Sequence, residues 1–167
     1  SWERADTIAH IRANHGQLAE ESVVATGPRS GGNDLIDGGD GNDIIYGQEG
    51  NDILVGGFGN DILDGGSGND ILTGGDGADT FITAVDNDLI VDYSKGEGDI
   101  LDLSHIYQSG NHLEVSEGSD GKAKLSVMDG GTEKGSVTFD NISYSDLTSG
   151  DQLNSLLGQL NIDYDGT

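Results

Sequence analysis

The sequence predicts an all-β protein: a parallel β-solenoid that continues into a small β domain, with a capping helix at the N-terminal end and another helix near the C-terminal end. Three observations predict it. Aspartate recurs at every ninth residue between Arg29 and Ile82, an apolar residue follows each of those aspartates two places on, and stretches of alternating polarity begin once the period ends. Self-similarity at nine residues is the signature of a solenoid in which each repeat stacks on its neighbours.

In register the units read RSGGNDLID, GGDGNDIIY, GQEGNDILV, GGFGNDILD, GGSGNDILT and GGDGADTFI. Glycine fills the first position in five units and the fourth in all six, as a tight turn that aims carbonyls inward requires. Asparagine holds the fifth position in five units and is expected there for its tolerance of the left-handed region. The last three residues form a short strand, with Ile36, Ile45, Leu54, Leu63, Leu72 and Phe81 turned inward by strand alternation. Two units then make one turn of a flattened coil. Asp34, Asp52 and Asp70 stack on one edge, and Asp43, Asp61 and Asp79 on the other.

A carboxylate beside inward carbonyls is a hard-oxygen donor set, which suits Ca²⁺ and its six to eight oxygen ligands. The candidate ligands are those six aspartates and the turn glycines Gly32, Gly41, Gly50, Gly59, Gly68 and Gly77. Pairing along the edges (34/52, 52/70, 43/61, 61/79) gives about four ions or more. No EF-hand spacing and no phosphate-cradling glycine loop is present.

Seven Lys plus Arg against 31 Asp plus Glu leave a net charge of -24, which disfavours nucleic acid and anionic membranes as partners. With no cysteine there is neither a disulfide framework nor a thiolate metal site. Neither a signal peptide nor a transmembrane span is expected, and the chain opens as if in mid-helix, as a fragment of a longer protein would. The motifs H-E-x-x-H and G-x-S-x-G are absent, so no catalysis is expected. A ligand-binding face for polysaccharide or ice would need a regular outward array, whereas the ninth positions are mixed.

Three segments follow. Residues 1–28 hold a helix, with Ala5, Ile8, Ile11 and His15 at helical intervals, and a connector over 21–30 that runs into the repeats; the helix either caps the solenoid or ends an upstream domain. Residues 29–82 are the repeats. In 83–167, the stretches 89–93, 100–103, 112–115, 123–128 and 136–139 suggest an antiparallel β unit, and Leu153, Leu156, Leu157 and Leu160 share a helix face. Between them Asp88, Asp92, Asp99 and Asp102 offer a further ion site, with Asp88 and Asp92 the better candidates because their even spacing puts both on one strand face.

The units at 38–82, then GADTFI and DLIVDYSKGEGDILDLS, resemble the C-terminal end of RTX (repeats-in-toxin) proteins, and the remainder through NIDYDGT is similar to a type I secretion target domain of large bacterial repeat adhesins. The resemblance implies that the repeat aspartates bind calcium. It further implies an uncleaved signal within the last ~50 residues, read by an ABC transporter, a membrane-fusion protein and an outer-membrane channel. The module would be a monomeric part of a larger chain, secreted by or displayed on a Gram-negative bacterium. A secreted protease or lipase is the alternative parent. Arg29 and Ser30 depart from the pattern in the first unit, and Gln48 replaces a glycine in the third.

One inward side chain per unit makes a thin core, and stacked carboxylates repel until cations neutralise them. Calcium is therefore expected to decide whether the repeats fold, each site adding roughly 1.4 kcal/mol at tenfold over its dissociation constant.

Overall fold

The computed structural model describes the backbone of residues 24–26 and then residues 32–118 and 120–148. The expected helices at either end lie outside the described residues, as do Arg29 and Ser30. Nine short strands climb the solenoid in chain order: β1 (Val24–Thr26), β2 (Leu35–Asp40), β3 (Ile44–Tyr46), β4 (Ile53–Phe58), β5 (Ile62–Asp64), β6 (Ile71–Asp76), β7 (Thr80–Ile82), β8 (Asn87–Ile90) and β9 (Ile100–Asp102). Odd strands form one parallel sheet and even strands the other, so each turn contributes one strand to each sheet. This is an almost all-β solenoid of about four turns.

Pairing steps are 18 residues through the repeats: Ile36 opposes Leu54 and Leu54 opposes Leu72 in one sheet, while Ile45 opposes Leu63 and Leu63 opposes Phe81 in the other. These eighth-position side chains are fully buried, in line with strand alternation. Ile90 and Leu101 extend the two stacks by one rung each and are as deeply buried.

Two expectations are corrected here. The period does not end at Ile82: residues 83–91, TAVDNDLIV, form a seventh unit without glycines, and GEGDILD at 96–102 supplies an eighth rung. Residues 89–90 and 100–102 therefore pair in parallel with the repeats, because the solenoid core rewards continued stacking of Ile90 and Leu101 more than a local hairpin would. The stretch read as a connector holds β1, whose β-branched Val24 and Thr26 suit the strand that pairs with β3.

The antiparallel part comprises β10 (His112–Glu117), β11 (Lys122–Asp129) and β12 (Thr132–Ser143), the last two joined by Gly130-Gly131, both at positive φ. That pair suits a two-residue hairpin turn. β12 also runs parallel to β8, with Val137 opposite Asp88 and Phe139 opposite Ile90. The even sheet thus grows to seven strands, and its last solenoid edge is covered rather than exposed. The solenoid and the antiparallel part share one core, in which Tyr93 lies 6.2 Å from Phe81 and edge-on to Phe139 at 5.5 Å. A short helix, α1 (Tyr144–Thr148), closes the described chain. The Ser143 hydroxyl caps it by accepting from the Asp146 N–H at 3.1 Å, and Leu147 is buried.

Candidate metal centre

In the second to sixth units the turn is set by backbone that only glycine adopts cheaply. At the fourth position Gly41, Gly50, Gly59, Gly68 and Gly77 have φ between 123° and 135°. A Cβ on Gly50, Gly59, Gly68 or Gly77 would stand 1.8–2.2 Å from the carbonyl oxygen of the fourth-position glycine one turn below. The glycines chosen from the sequence therefore stack carbonyl to backbone.

The asparagines carry out a different task from the one expected. None has positive φ among the described residues. Instead Asn33 Oδ1 accepts from the Asn51 N–H (2.9 Å), Asn51 Oδ1 from Asn69 (2.8 Å) and Asn69 Oδ1 from Asn87 (2.9 Å). Asn42 and Asn60 do the same on the other edge, toward Asn60 and Ala78. A short amide side chain can reach a backbone donor one turn above, which an apolar residue cannot replace. At the top, Asn87 Oδ1 accepts from the Ser136 hydroxyl at 2.7 Å, so β12 ends the ladder.

The aspartates run the opposite way. Asp52, Asp70 and Asp88 accept through Oδ1 from the N–H of Asp34, Asp52 and Asp70, at 2.7–3.0 Å. Asp61, Asp79 and Asp99 accept from Asp43, Asp61 and Asp79, at 2.8–3.0 Å. These bonds link the same four pairs that the sequence stacks and add 70/88 and 79/99. All eight aspartates are no more than 4 % exposed.

In Asp43, Asp52, Asp61, Asp70 and Asp79 the second oxygen faces the first-position glycine of the same unit. A Cβ on Gly47 would stand 2.5 Å from Asp52 Oδ2 and 2.4 Å from the Gly65 carbonyl oxygen; on Gly56, 2.3 Å from Asp61 Oδ2 and 2.6 Å from Gly74 O. Gly38 faces Asp43 Oδ2 and Gly56 O in the same manner. Glycine at this position therefore keeps open a cradle on which a carboxylate and a carbonyl of the next turn converge. The sequence points to the fourth-position glycines; the first-position ones, Gly38, Gly47, Gly56, Gly65 and Gly74, are those that meet the carboxylates.

Burial sets the electrostatics. The Oδ2 atoms of Asp52, Asp61, Asp70 and Asp79 are buried without a hydrogen bond. Burial, with like charges above and below, pushes Asp52 and Asp61 up to about 6 despite the backbone hydrogen bond each accepts. Asp34, Asp70, Asp79 and Asp99 are likewise raised, burial being the largest cause, and Asp88 reaches about 7. No Lys, Arg or His occurs between residues 32 and 94 to offset them. A buried carboxylate without a counter-charge is costly, and a hard cation removes that cost. Among the described residues no three acidic, His or Cys side chains gather to hold an ion by themselves, so carbonyl oxygens must complete any coordination shell. The donor set fits calcium.

The junction aspartates separate. Asp88 and Asp99 occupy ladder positions, whereas Asp92 accepts from the Gly74 and Gly75 N–H groups, both at 2.9 Å, and caps the turn. Asp86 accepts from Gly68 N–H at 2.9 Å where lower turns use a carbonyl. Asp102 accepts from its neighbour Ser104 N–H at 2.8 Å, outside the ladders. The ninefold count itself leads from Asp79 to Asp88, and the G-x-G-D-I-L-D echo marks Asp99.

The model of the RTX calcium-binding nonapeptide repeat matches residues 30–63 and 55–90. Residues 30–90 are RTX repeats. RTX repeats bind calcium and are typical of secreted bacterial proteins. Among solved structures, the solution structure of the AlgE6R3 subunit of the Azotobacter vinelandii mannuronan C5-epimerase is 28 % identical, with a TM-score of 0.54, over 84 % of this chain and 87 % of that one. The AlgE6R2 subunit of that epimerase is 27 % identical over 81 % and 91 %, with a TM-score of 0.36. No curated protein matches the chain. The RTX match reaches Ile90, in keeping with the seventh unit.

Proposed function

We propose that this chain is the calcium-folded RTX module at the C-terminal end of a large secreted bacterial protein, an adhesin, and that it carries an uncleaved type I secretion signal after its repeats. The observation that supports this reading is the double ladder of buried carboxylates with no Lys, Arg or His between residues 32 and 94. Such a ladder opposes folding where calcium is scarce and favours it where calcium is plentiful. Inside the cell the chain stays threadable for the ABC transporter, membrane-fusion protein and outer-membrane channel. Outside, the repeats fold on calcium bound by Asp43, Asp52, Asp61, Asp70 and Asp79 with turn carbonyls, and the folded module resists sliding back.

The test is export from cells that hold the transporter, with external calcium at millimolar level or chelated. Export that slows on chelation supports the reading; equal rates contradict it. For the signal, residues 83–167 fused to a reporter should leave the cell, and a fully retained fusion contradicts its placement there.

The likeness to an epimerase subunit favours a second reading, in which the same module is attached to a secreted enzyme. The sequence upstream of Ser1 separates the two: tandem repeated adhesive domains, or a catalytic domain.

A further inference from the structure

We infer that the calcium array ends itself from within: Thr83 closes the cradle of Asp88, and the Ser94 N–H closes that of Asp99, so neither of these ladder aspartates takes an ion in its own turn. The inference rests on the reading that the first-position cradles bind calcium.

The backbone places Thr83 where the lower units have glycine. Gly47 N–H donates to Asp64 O (2.8 Å), Gly65 N–H to Ile82 O (3.2 Å) and Thr83 N–H to Asp102 O (3.3 Å), one series of rungs on one edge. In the lower units even a Cβ at this position would meet its own aspartate's Oδ2 at 2.2–2.5 Å. Threonine brings three side-chain heavy atoms into that space, and its side chain is fully buried. Its hydroxyl and Asp88 Oδ2 are both buried without a hydrogen-bond partner, so what sets this turn apart from the lower ones is the volume that the threonine side chain occupies and not the state of the carboxylate oxygen. The next residues, Ala84 and Val85, replace the turn glycine and its neighbour, and Asp86 spends its carboxylate on Gly68 N–H.

On the other edge closure is by hydrogen bond. Asp99 accepts from Asp79 N–H through Oδ1 (3.0 Å) and from Ser94 N–H through Oδ2 (2.7 Å), so each oxygen carries a backbone hydrogen bond. The corresponding Oδ2 atoms of Asp61 and Asp79 have no such partner. The two-residue lengthening of this turn, which makes the 79-to-99 step 20 residues, is what brings Ser94 N–H within reach.

The experiment counts calcium ions per chain by equilibrium dialysis with metal analysis, on the whole chain, with far-UV circular dichroism to verify folding in calcium. D88N is expected to keep the wild-type count and D61N to lose at least one ion. T83G restores the glycine of the repeat pattern and is expected to gain one ion. A D88N protein that loses an ion, or a T83G protein with the wild-type count or fewer, overturns the inference, the latter because a ligating hydroxyl would have been removed. Failure of the underlying reading has a different signature: wild-type protein that takes up no calcium.

Discussion

Adding one methyl group at Gly56 should separate the cradle's contribution from that of the turn. Gly56 has no positive φ, so alanine meets no left-handed penalty there. The new Cβ would stand 2.3 Å from Asp61 Oδ2 and 2.6 Å from Gly74 O. Relief of such an overlap costs about 1 to 3 kcal/mol. If four ions bind as the module folds, that cost spread over them raises the calcium midpoint about 1.5- to 4-fold, before counting any ion the cradle loses. Gly32→Ala is the control, since a Cβ there meets nothing within 4 Å and the residue has no positive φ. The assay is a calcium titration followed by far-UV circular dichroism. Equal midpoints for G56A and G32A would refute the cradle.

Gln48 is the one non-glycine with positive φ among the described residues, at 79°. Gln48→Gly should stabilise the calcium-loaded module by about 0.5 kcal/mol, the relief of left-handed strain exceeding the entropy cost of glycine, and should raise Tm by about 1–2 °C. Asn51→Ala removes the acceptor for Asn69 N–H and should cost about 1 kcal/mol in chemical denaturation, whereas Asn51→Asp, which keeps an acceptor, should cost less. In metal-free protein, Asp52 and Asp61 near 6 and Asp88 near 7 lie above the ordinary carboxylate value, so the folded state binds more protons than the unfolded chain between about pH 4 and 7. Metal-free stability should therefore fall as pH rises through that window, and β content in chelator should be greater at pH 5 than at pH 7.5.

The aspartate period carries the 18-residue turn, both stacking edges and the inward row from Ile36 to Phe81, because every unit repeats the same local demand. Legibility ends where the demand is met by other means. Residues 83–91 lack every turn glycine, yet Asn87, Asp88 and Ile90 keep their places in the ladders and core. Asp99 sits 20 residues after Asp79, off the ninefold count, and only the longer turn restores its register. The return of β12 to lie beside β8 has no local signal at all, since Ser136 finds Asn87 across 49 residues. The period places the asparagines correctly, but tolerance of the left-handed region is the wrong reason for them: their side chains reach between turns, and reach is invisible in a one-dimensional pattern.

Far-UV circular dichroism of the whole chain at neutral pH, with chelator and then with millimolar calcium, tests the central claim most directly. The ladder of buried carboxylates predicts a largely unfolded spectrum in chelator and a cooperative gain of β structure on adding calcium. The same β content in both conditions would contradict it.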